Sequence, residues 1–497
     1  MPSFTPLNPQ VDAIFSITQG HINSALIRKD FNLTLPAKTS YKTHFILKSE
    51  GGRLLFNGSV NSSLVNLALK EGKYHLLSNT LASDYLISIP DMHKLSSLSD
   101  MPMKGKFVLG GTLALKQNKF SVEGNTKSFG GKIHFAYAGD SLNATLAKVN
   151  NSLLLSALGQ PSYLSGETTA ALTLTSIKHL SGDFSLRSKG QANRKVVKKV
   201  LGLDLGKKFL LNTALKGSIK KHTVLATLSA KTSMANLKST AIHYDIPKAS
   251  LKADYHIDIP NMAALQPLTG KAFKGDMQIN GDIKRSKDLL VTGKGKEFGG
   301  TIDFTLRNDK LTANVKGATV SKIMTMLDYP QVLEAISQAD VVYNLTSASG
   351  TLHAKLDNAR ILPSQLTTLL KQFKIIDLAK ERFNNSKFDA KITKKRIDFS
   401  LDARNKNNFL VVKNGILIKK TEAIDAKVAM KIRGKDLQAS IKGTLQHPKV
   451  SLDGSAYLKN KIKEKIKKKY GKKIEKAKKK VKDKLGDKAT GLIKGLL

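Results

Sequence analysis

The chain of 497 residues contains no cysteine and no tryptophan. Without cysteine there is no disulfide, no thiolate metal site and no cysteine nucleophile, and the absence fits an oxidising compartment in which free thiols are avoided. Aromatic residues make up only 6% of the chain while apolar residues make up 41%. That balance argues against disorder, but it provides many thin apolar faces and few large anchors for one compact core. Arginine is scarce as well, 11 of the 82 basic residues. Arginine is the usual reader of phosphate and base edges, so its scarcity counts against nucleic acid as the partner. No stretch approaches the roughly 18 consecutive apolar residues of a membrane-spanning helix. The N-terminal Met1-Pro-Ser-Phe-Thr-Pro6 lacks the charged-then-apolar pattern of a signal peptide. Taken literally, the chain has no export route; the alternative expectation is that Met1 is an internal start with an N-terminal anchor upstream.

Positive charge, by contrast, is abundant. The 82 basic residues stand against 38 acidic ones, a net charge of +44. A field of that size favours an anionic partner, namely nucleic acid, phospholipid headgroups or lipopolysaccharide. Part of the excess can also be a lysine-rich background.

A long internal repeat organises the chain. Asp84-Tyr-Leu-Ile-Ser-Ile-Pro-Asp-Met92 recurs as Asp254-Tyr-His-Ile-Asp-Ile-Pro-Asn-Met262, a shift of 170 residues. Upstream, Asn66-Leu67 and Tyr74 answer Asn236-Leu237 and Tyr244; downstream, Gly105 and Gly111 answer Gly275 and Gly281. At a shift of 169, Phe129-Gly130-Gly131 answers Phe298-Gly299-Gly300, and Ser152, Leu155, Leu158, Pro161 and Leu164 answer Ser321, Met324, Leu327, Pro330 and Leu333. The expected organisation is a partial unit over 1–65, repeats over 66–235 and 236–408, a partial closing unit over 409–458, and a lysine-rich segment over 459–497. Repeats that stack end to end make an extended object.

Within the repeats the dominant period is two. Ile133 and Phe135 alternate with Lys132 and His134, and Ile302 and Phe304 with Thr301 and Asp303. Ile257 and Ile259 enclose Asp258; Phe399 and Leu401 enclose Ser400; Val428 and Met430 lie on the face that begins at Ile424. Alternation gives each strand one apolar and one polar face, and the turn residues between strands imply antiparallel meanders. Helices are expected over 319–338 and its equivalent 150–164, over 363–382, and in short form after Pro90 and Pro260. The fold class is therefore mainly β, an elongated repeat-built antiparallel sheet with short inserted helices. A sheet rolled into an open groove and a closed sandwich both satisfy the pattern.

From Lys459 to Leu497 there are 17 lysines and four acids, with apolar residues at steps of three or four from Ile462 to Leu496. Such a stripe in a field of lysine reads as an interfacial amphipathic helix on an anionic membrane, with Lys461, Lys465, Lys468, Lys472, Lys476 and Lys479 at the headgroups. A solvated helix packed on the β body and a nucleic-acid tail are the other readings, and the stacking aromatics of the latter are missing apart from Tyr470.

Catalytic patterns do not emerge. The 11 histidines include no pair at helical zinc-protease spacing. Gly202-Leu-Asp-Leu-Gly206-Lys-Lys is one residue short of a phosphate loop, and Gly293-Lys-Gly295 lies between alternating strands with no helix to start. Both read as turns, and the expectation is a non-enzyme without cofactor or metal.

Ile259-Pro-Asn-Met-Ala-Ala-Leu-Gln-Pro-Leu-Thr-Gly270, Phe273-Lys-Gly275, Gly281 and Phe298-Gly-Gly-Thr-Ile-Asp-Phe304 resemble the repeated segment of AsmA-like proteins. So does the end, Gly443-Thr-Leu-Gln-His-Pro-Lys-Val-Ser-Leu-Asp453 followed by a lysine-rich helix closing in Leu492-Ile-Lys-Gly-Leu-Leu497. The resemblance implies a Gram-negative envelope protein, related to TamB-type translocation proteins, held at the inner membrane with a periplasmic β-groove that passes or shields phospholipid or another anionic lipid. It also implies the second reading of the N-terminus, an internal start at Met1 with the anchor upstream. On that expectation Ile133, Phe135, Ile257, Ile259, Ile302, Phe304, Phe399, Leu401, Val428 and Met430 line the groove. A scaffold that contacts outer-membrane assembly proteins is the alternative, and a basic nucleic-acid binder is the second.

Overall fold

The computed structural model describes residues 11–31, 35, 39–96, 102–372, 378–432, 434–453 and 476. The described residues are mainly β: they form 27 strands in an open antiparallel sheet that does not close into a barrel, with a few short helices between them. Chain contacts divide the protein into two compact units, Met1–Thr292 and Gly293–Leu497. The division falls inside the second sequence repeat.

In the first unit each strand from Asp12–His21 to Met277–Arg285 pairs antiparallel with the next along the chain. In the second unit the same holds from Thr301–Arg307 to Pro448–Asp453. Tight turns make this meander possible. Gln117 and Asn118 take φ of 50° and 59°, and Lys221 and His222 take 45° and 68°. Two successive left-handed residues match the right-handed twist of the strands they join.

Strand direction alternates, so every second connection returns to the same rim. In the first unit the helices Ser24–Phe31, Met92–Leu95, Asn151–Ala157, Arg194–Leu201 and Met262–Leu265 all follow upward strands and share one rim. The helices Val320–Met326 and Gln365–Gln372 follow the same rule in the second unit. The repeat is visible in these elements: Asp91 and Asn261 each cap the short helix after a proline with φ −145° and ψ 103°, accepting from the N–H of His93 and Ala263. An N-cap side chain of this type satisfies an otherwise unpaired helical donor.

Three expected helices are shorter in the structure. Helix ends at Met326, and Leu333 and Ile336 lie in the strand Leu333–Asn344; likewise 150–164 is helical only over Asn151–Ala157. Of the segment 363–382 the described residues hold a helix over Gln365–Gln372 and a single tight turn over Leu378–Lys380, while 373–377 lie outside the described residues. A bulge between Glu334 and Ile336 breaks the strict period of two, so the apolar spacing there imitates a helix.

The two units bury apolar surface differently. In the second unit Leu366, Leu370, Leu378 and Phe383 pack over the strands bearing Leu410, Val412, Val428, Met430, Leu437 and Ala439 as one core. In the first unit buried apolar residues are scattered, among them Leu64, Tyr85, Val149, Leu174, Val197 and Met262. There most apolar strand residues stay half-buried.

Candidate functional site

Residues directly opposite in an antiparallel pair lie on the same face of the sheet, so the register traces which side chains form one surface. Starting from Phe135, the partners toward the N-terminus are Gly124, Gly111, Tyr85, Leu69, Gly58, Phe45 and Phe15 in turn. Toward the C-terminus they are Ala144, Leu172, Phe184, Gly217, Ala226, Ile242 and Ala253. The neighbouring row runs Ile133, Leu146, Ala170, Leu186, Leu215 and Leu228. Tyr255, Ile257 and Ile259 follow Ala253 on its own strand at intervals of two. The face is therefore continuous and apolar across the first unit, and Ile133, Phe135, Ile257 and Ile259 all belong to it.

Glycines within the face make room for the rings of adjacent strands. A Cβ on Gly58 would fall 2.2 Å from the Phe45 ring, and one on Gly124 would fall 2.5 Å from Phe135. Each ring covers the backbone of its partner strand and fills the space that the missing side chain leaves. Sequence reading singled out Phe135 but neither Phe45 nor the pairing of these rings with glycines; an aromatic opposite a glycine in register is the signal that marks them. Tyr85 and Tyr255, equivalent in the repeat, are both buried on this face. Burial, and after it the charge of Glu123 or Asp282 respectively, pushes their phenols above the ordinary value. The Tyr255 hydroxyl donates to the Thr292 carbonyl at 3.0 Å.

At the helical rim the face ends in a buried polar cluster. The Thr168 hydroxyl donates to the Asn151 carbonyl oxygen at 2.6 Å and lies 2.9 Å from the Ser188 hydroxyl. Asn151 opens the helix Asn151–Ala157, whose Ala157 is also buried. The network is satisfied within itself, as a buried polar group requires.

In the second unit the corresponding face carries the rows Ile302, Val315, Ala339, Ala354, Phe388, Leu401, Val412, Val428, Ala439, Leu452 and Phe304, Ala313, Val341, Leu352, Ala390, Phe399, Gly415. Ile302, Phe304, Phe399, Leu401, Val428 and Met430 thus share one surface. Their surroundings differ. Val428 and Met430 are 2% and 1% exposed, enclosed by protein side chains, and Phe399 and Leu401 pack against that core. Phe399 stacks on Phe388 with ring centroids 6.0 Å apart. Ile302 and Phe304 are half-buried.

The opposite face is mixed, with exposed aliphatic residues such as Ile14, Ile46 and Val342 among polar pairs. In the second unit Asn314 donates to Asp340 at 2.6 Å, His353 Nδ1 lies 2.7 Å from Asp389, and Arg404 pairs with Asp402 at 2.6 Å. These pairs are solvent-exposed and add little stability. Among the described residues no three His, Asp or Glu side chains converge to hold a metal ion. Gly202 is the left-handed cap of the helix Arg194–Leu201 and Gly206 follows it with φ of 76°, whereas Gly293-Lys-Gly295, expected as a turn, ends the strand Leu289–Gly295. Of the tail lysines, Lys476 is helical and exposed; Lys461, Lys465, Lys468, Lys472 and Lys479 lie outside the described residues. No described helix is long and apolar enough to cross a membrane.

On the opposite side of the first-unit sheet from the apolar face, one carboxylate holds a bulge in place. The strand Asn236–Asp245 bulges between Lys238 and Ile242. Asp254 accepts from the Thr240 hydroxyl at 2.5 Å, the Ser239 hydroxyl at 2.9 Å and the Thr240 and Ala241 N–H groups at 2.9 and 2.7 Å. These bonds, the Thr240 hydroxyl foremost, hold its carboxyl down to about 2 against an opposing effect of burial. A depressed folded-state value means that the ionised form stabilises the fold above the unfolded value near 3.9 and that this contribution vanishes as pH falls toward 2. Asp254→Asn is therefore expected to lower the melting temperature at neutral pH, with the gap to wild type closing between about pH 4 and pH 2. A gap that is independent of pH contradicts this role.

Comparison with protein-family models, with curated proteins and with solved structures gives no significant match.

Proposed function

We propose that this protein shields or conducts phospholipid along the apolar face of its sheet, as an AsmA-like protein of the bacterial envelope, periplasmic and attached at the inner membrane. The observation that carries the reading is the unbroken apolar row from Phe15 through Phe135 to Ala253, whose members are mostly half-buried. In an ordinary sandwich such a face is covered by a second sheet about 10 Å away. In the first unit the described strands from Asp12–His21 to Met277–Arg285 pair one after another, and the row lies on one face of that meander.

Burial supplies the mechanism. Each methylene moved from water to an apolar surface gains about 0.8 kcal/mol, so an acyl chain laid along successive Leu, Ile and Phe side chains is held without any specific polar contact. A surface of this kind accepts chains of many lengths and lets them slide, because adjacent rows are chemically alike. The closed core of the second unit leaves no such space at Val428 and Met430, so the proposed lipid path lies over the half-buried positions Ile133, Phe135 and Ile257 of the first unit, and Ile302 and Phe304 are the half-buried candidates within the second. The lysine-rich segment after Asp453 would attract anionic headgroups.

Native mass spectrometry with lipid extraction on the full chain, purified from bacterial membranes, tests the proposal. Wild type is expected to carry phospholipid. Phe135→Asp with Leu186→Asp, two carboxylates on the apolar face, is expected to lose most of it, while Ser185→Asp on the opposite face retains it. Wild type free of lipid sinks the reading and leaves a non-transporting scaffold in front.

A further inference from the structure

The eight-residue helix Arg194–Leu201 has the sequence Arg-Lys-Val-Val-Lys-Lys-Val-Leu. Val197, Val200 and Leu201 stand three and four positions apart and so lie on one side of the helix. Val197 is buried against the protein, yet Val200 and Leu201 are 47% and 56% exposed. The apolar stripe begins under cover and runs out into the open. Past the left-handed cap at Gly202, Leu203 is 47% exposed as well.

Charge surrounds this patch. Arg194, Lys195, Lys198, Lys199, Lys207 and Lys208 fall within the same short segment, with Asp204 as its single acid. Asp204 is used internally. It accepts from Arg194 at 3.1 and 3.2 Å, from Lys198 at 2.8 Å and from the Gly206 N–H at 3.0 Å, which ties the loop back to the helix and holds Leu203 in place. Lys195, Lys199, Lys207 and Lys208 are exposed. The same rim of the first unit also exposes Leu153, Leu158 and Leu268.

A soluble rim gains nothing from several exposed aliphatic side chains ringed by lysine, whereas an anionic bilayer matches both features at once. We infer that this helical rim docks on an anionic phospholipid surface, with Val200, Leu201 and Leu203 at the acyl boundary and the lysines among the headgroups. Coulomb attraction to the negative surface favours approach, and desolvation of the apolar patch favours insertion. The inference is independent of the lipid path along the sheet, since a rim can rest on a bilayer whether or not the face beside it carries lipid.

The absence of cysteine makes the test direct. Leu203→Cys in the full chain, labelled with an environment-sensitive fluorophore, is mixed with vesicles of phosphatidylcholine alone or of phosphatidylcholine with phosphatidylglycerol. On the anionic vesicles the emission is expected to shift to the blue and rise several-fold, to be quenched by spin labels on the acyl chains, and to revert at high salt. A label at Ser185→Cys, on the sheet face opposite the apolar one, should stay unchanged. Vesicle binding with a silent probe at 203 places docking elsewhere in the chain and overturns the inference. A probe already blue-shifted without vesicles also overturns it, because the patch is then covered by protein, a second copy if the shift depends on concentration. A chain that does not bind the anionic vesicles at all overturns it equally.

Discussion

Phe383→Ala is expected to destabilise the second unit by about 4 kcal/mol, enough to remove much of the stability of a unit this size. Phe383 is fully buried, and its backbone bridges Ala359 with N–H···O distances of 2.8 and 3.0 Å. It belongs to the cluster in which Leu370, Leu378, Met430 and Ile432 are closed off from solvent. Truncation there removes transfer energy and leaves a cavity that the surrounding strands cannot fill. Phe135→Ala offers the contrast. Phe135 has the same side chain, but it sits in the strand Lys132–Ala138 and is only half-buried, so its truncation is expected to cost about 1 kcal/mol. Urea unfolding of the two variants reads the difference between a covered core and an open face. Equal costs would mean that the first-unit face is covered in solution.

Gly111→Ala and Gly110→Ala are expected to act in opposite directions although the residues are adjacent in one strand. A Cβ on Gly111 would sit 1.8 Å from the Glu123 carbonyl oxygen and 2.7 Å from Gly124 Cα. Both obstacles are backbone, so the strand Lys119–Thr126 must move away and its ladder must loosen. A cost of about 3 kcal/mol is expected. A Cβ on Gly110 meets nothing closer than Leu86 Cδ1 at 3.5 Å. That substitution is expected to be neutral or to stabilise by up to about 1 kcal/mol, because alanine restricts the unfolded chain. Gly281, the repeat equivalent of Gly111, meets the Thr292 oxygen at the same 1.8 Å. Alanine at 281 should therefore reproduce the loss seen at 111, and thermal melts of the three variants check the set.

These contrasts also mark what could be read from the sequence. Alternation at Ile424, Ala426, Val428, Met430 and Ile432 predicts one shared face, and the strand Ala423–Ile432 has it. The same alternation at Ile133 and Phe135 looks identical in sequence. Period two says which side chains share a face, but what covers that face depends on distant segments such as Leu366–Leu370 and Phe383, whose positions no local pattern encodes. The short helices after Pro90 and Pro260 were legible because proline followed by an Asp or Asn cap acts locally. Leu333 and Ile336 were not, because a bulge restores a helix-like spacing inside a strand. The helix Arg194–Leu201 escaped notice although Val197, Val200 and Leu201 carry the signal. Eight residues of mixed lysine and valine are ambiguous until the structure shows which side is covered.

The central claim is that one face of the first-unit sheet, and not the other, meets acyl chains. A photo-reactive benzoylphenylalanine placed in turn at Phe135, His134, Leu186 and Arg187 of the full chain tests it, because these neighbours point to opposite faces. Irradiation in bacterial membranes followed by mass spectrometry should find phospholipid adducts at 135 and 186 and none at 134 and 187. Adducts of equal yield at all four positions, or at none, would contradict the account.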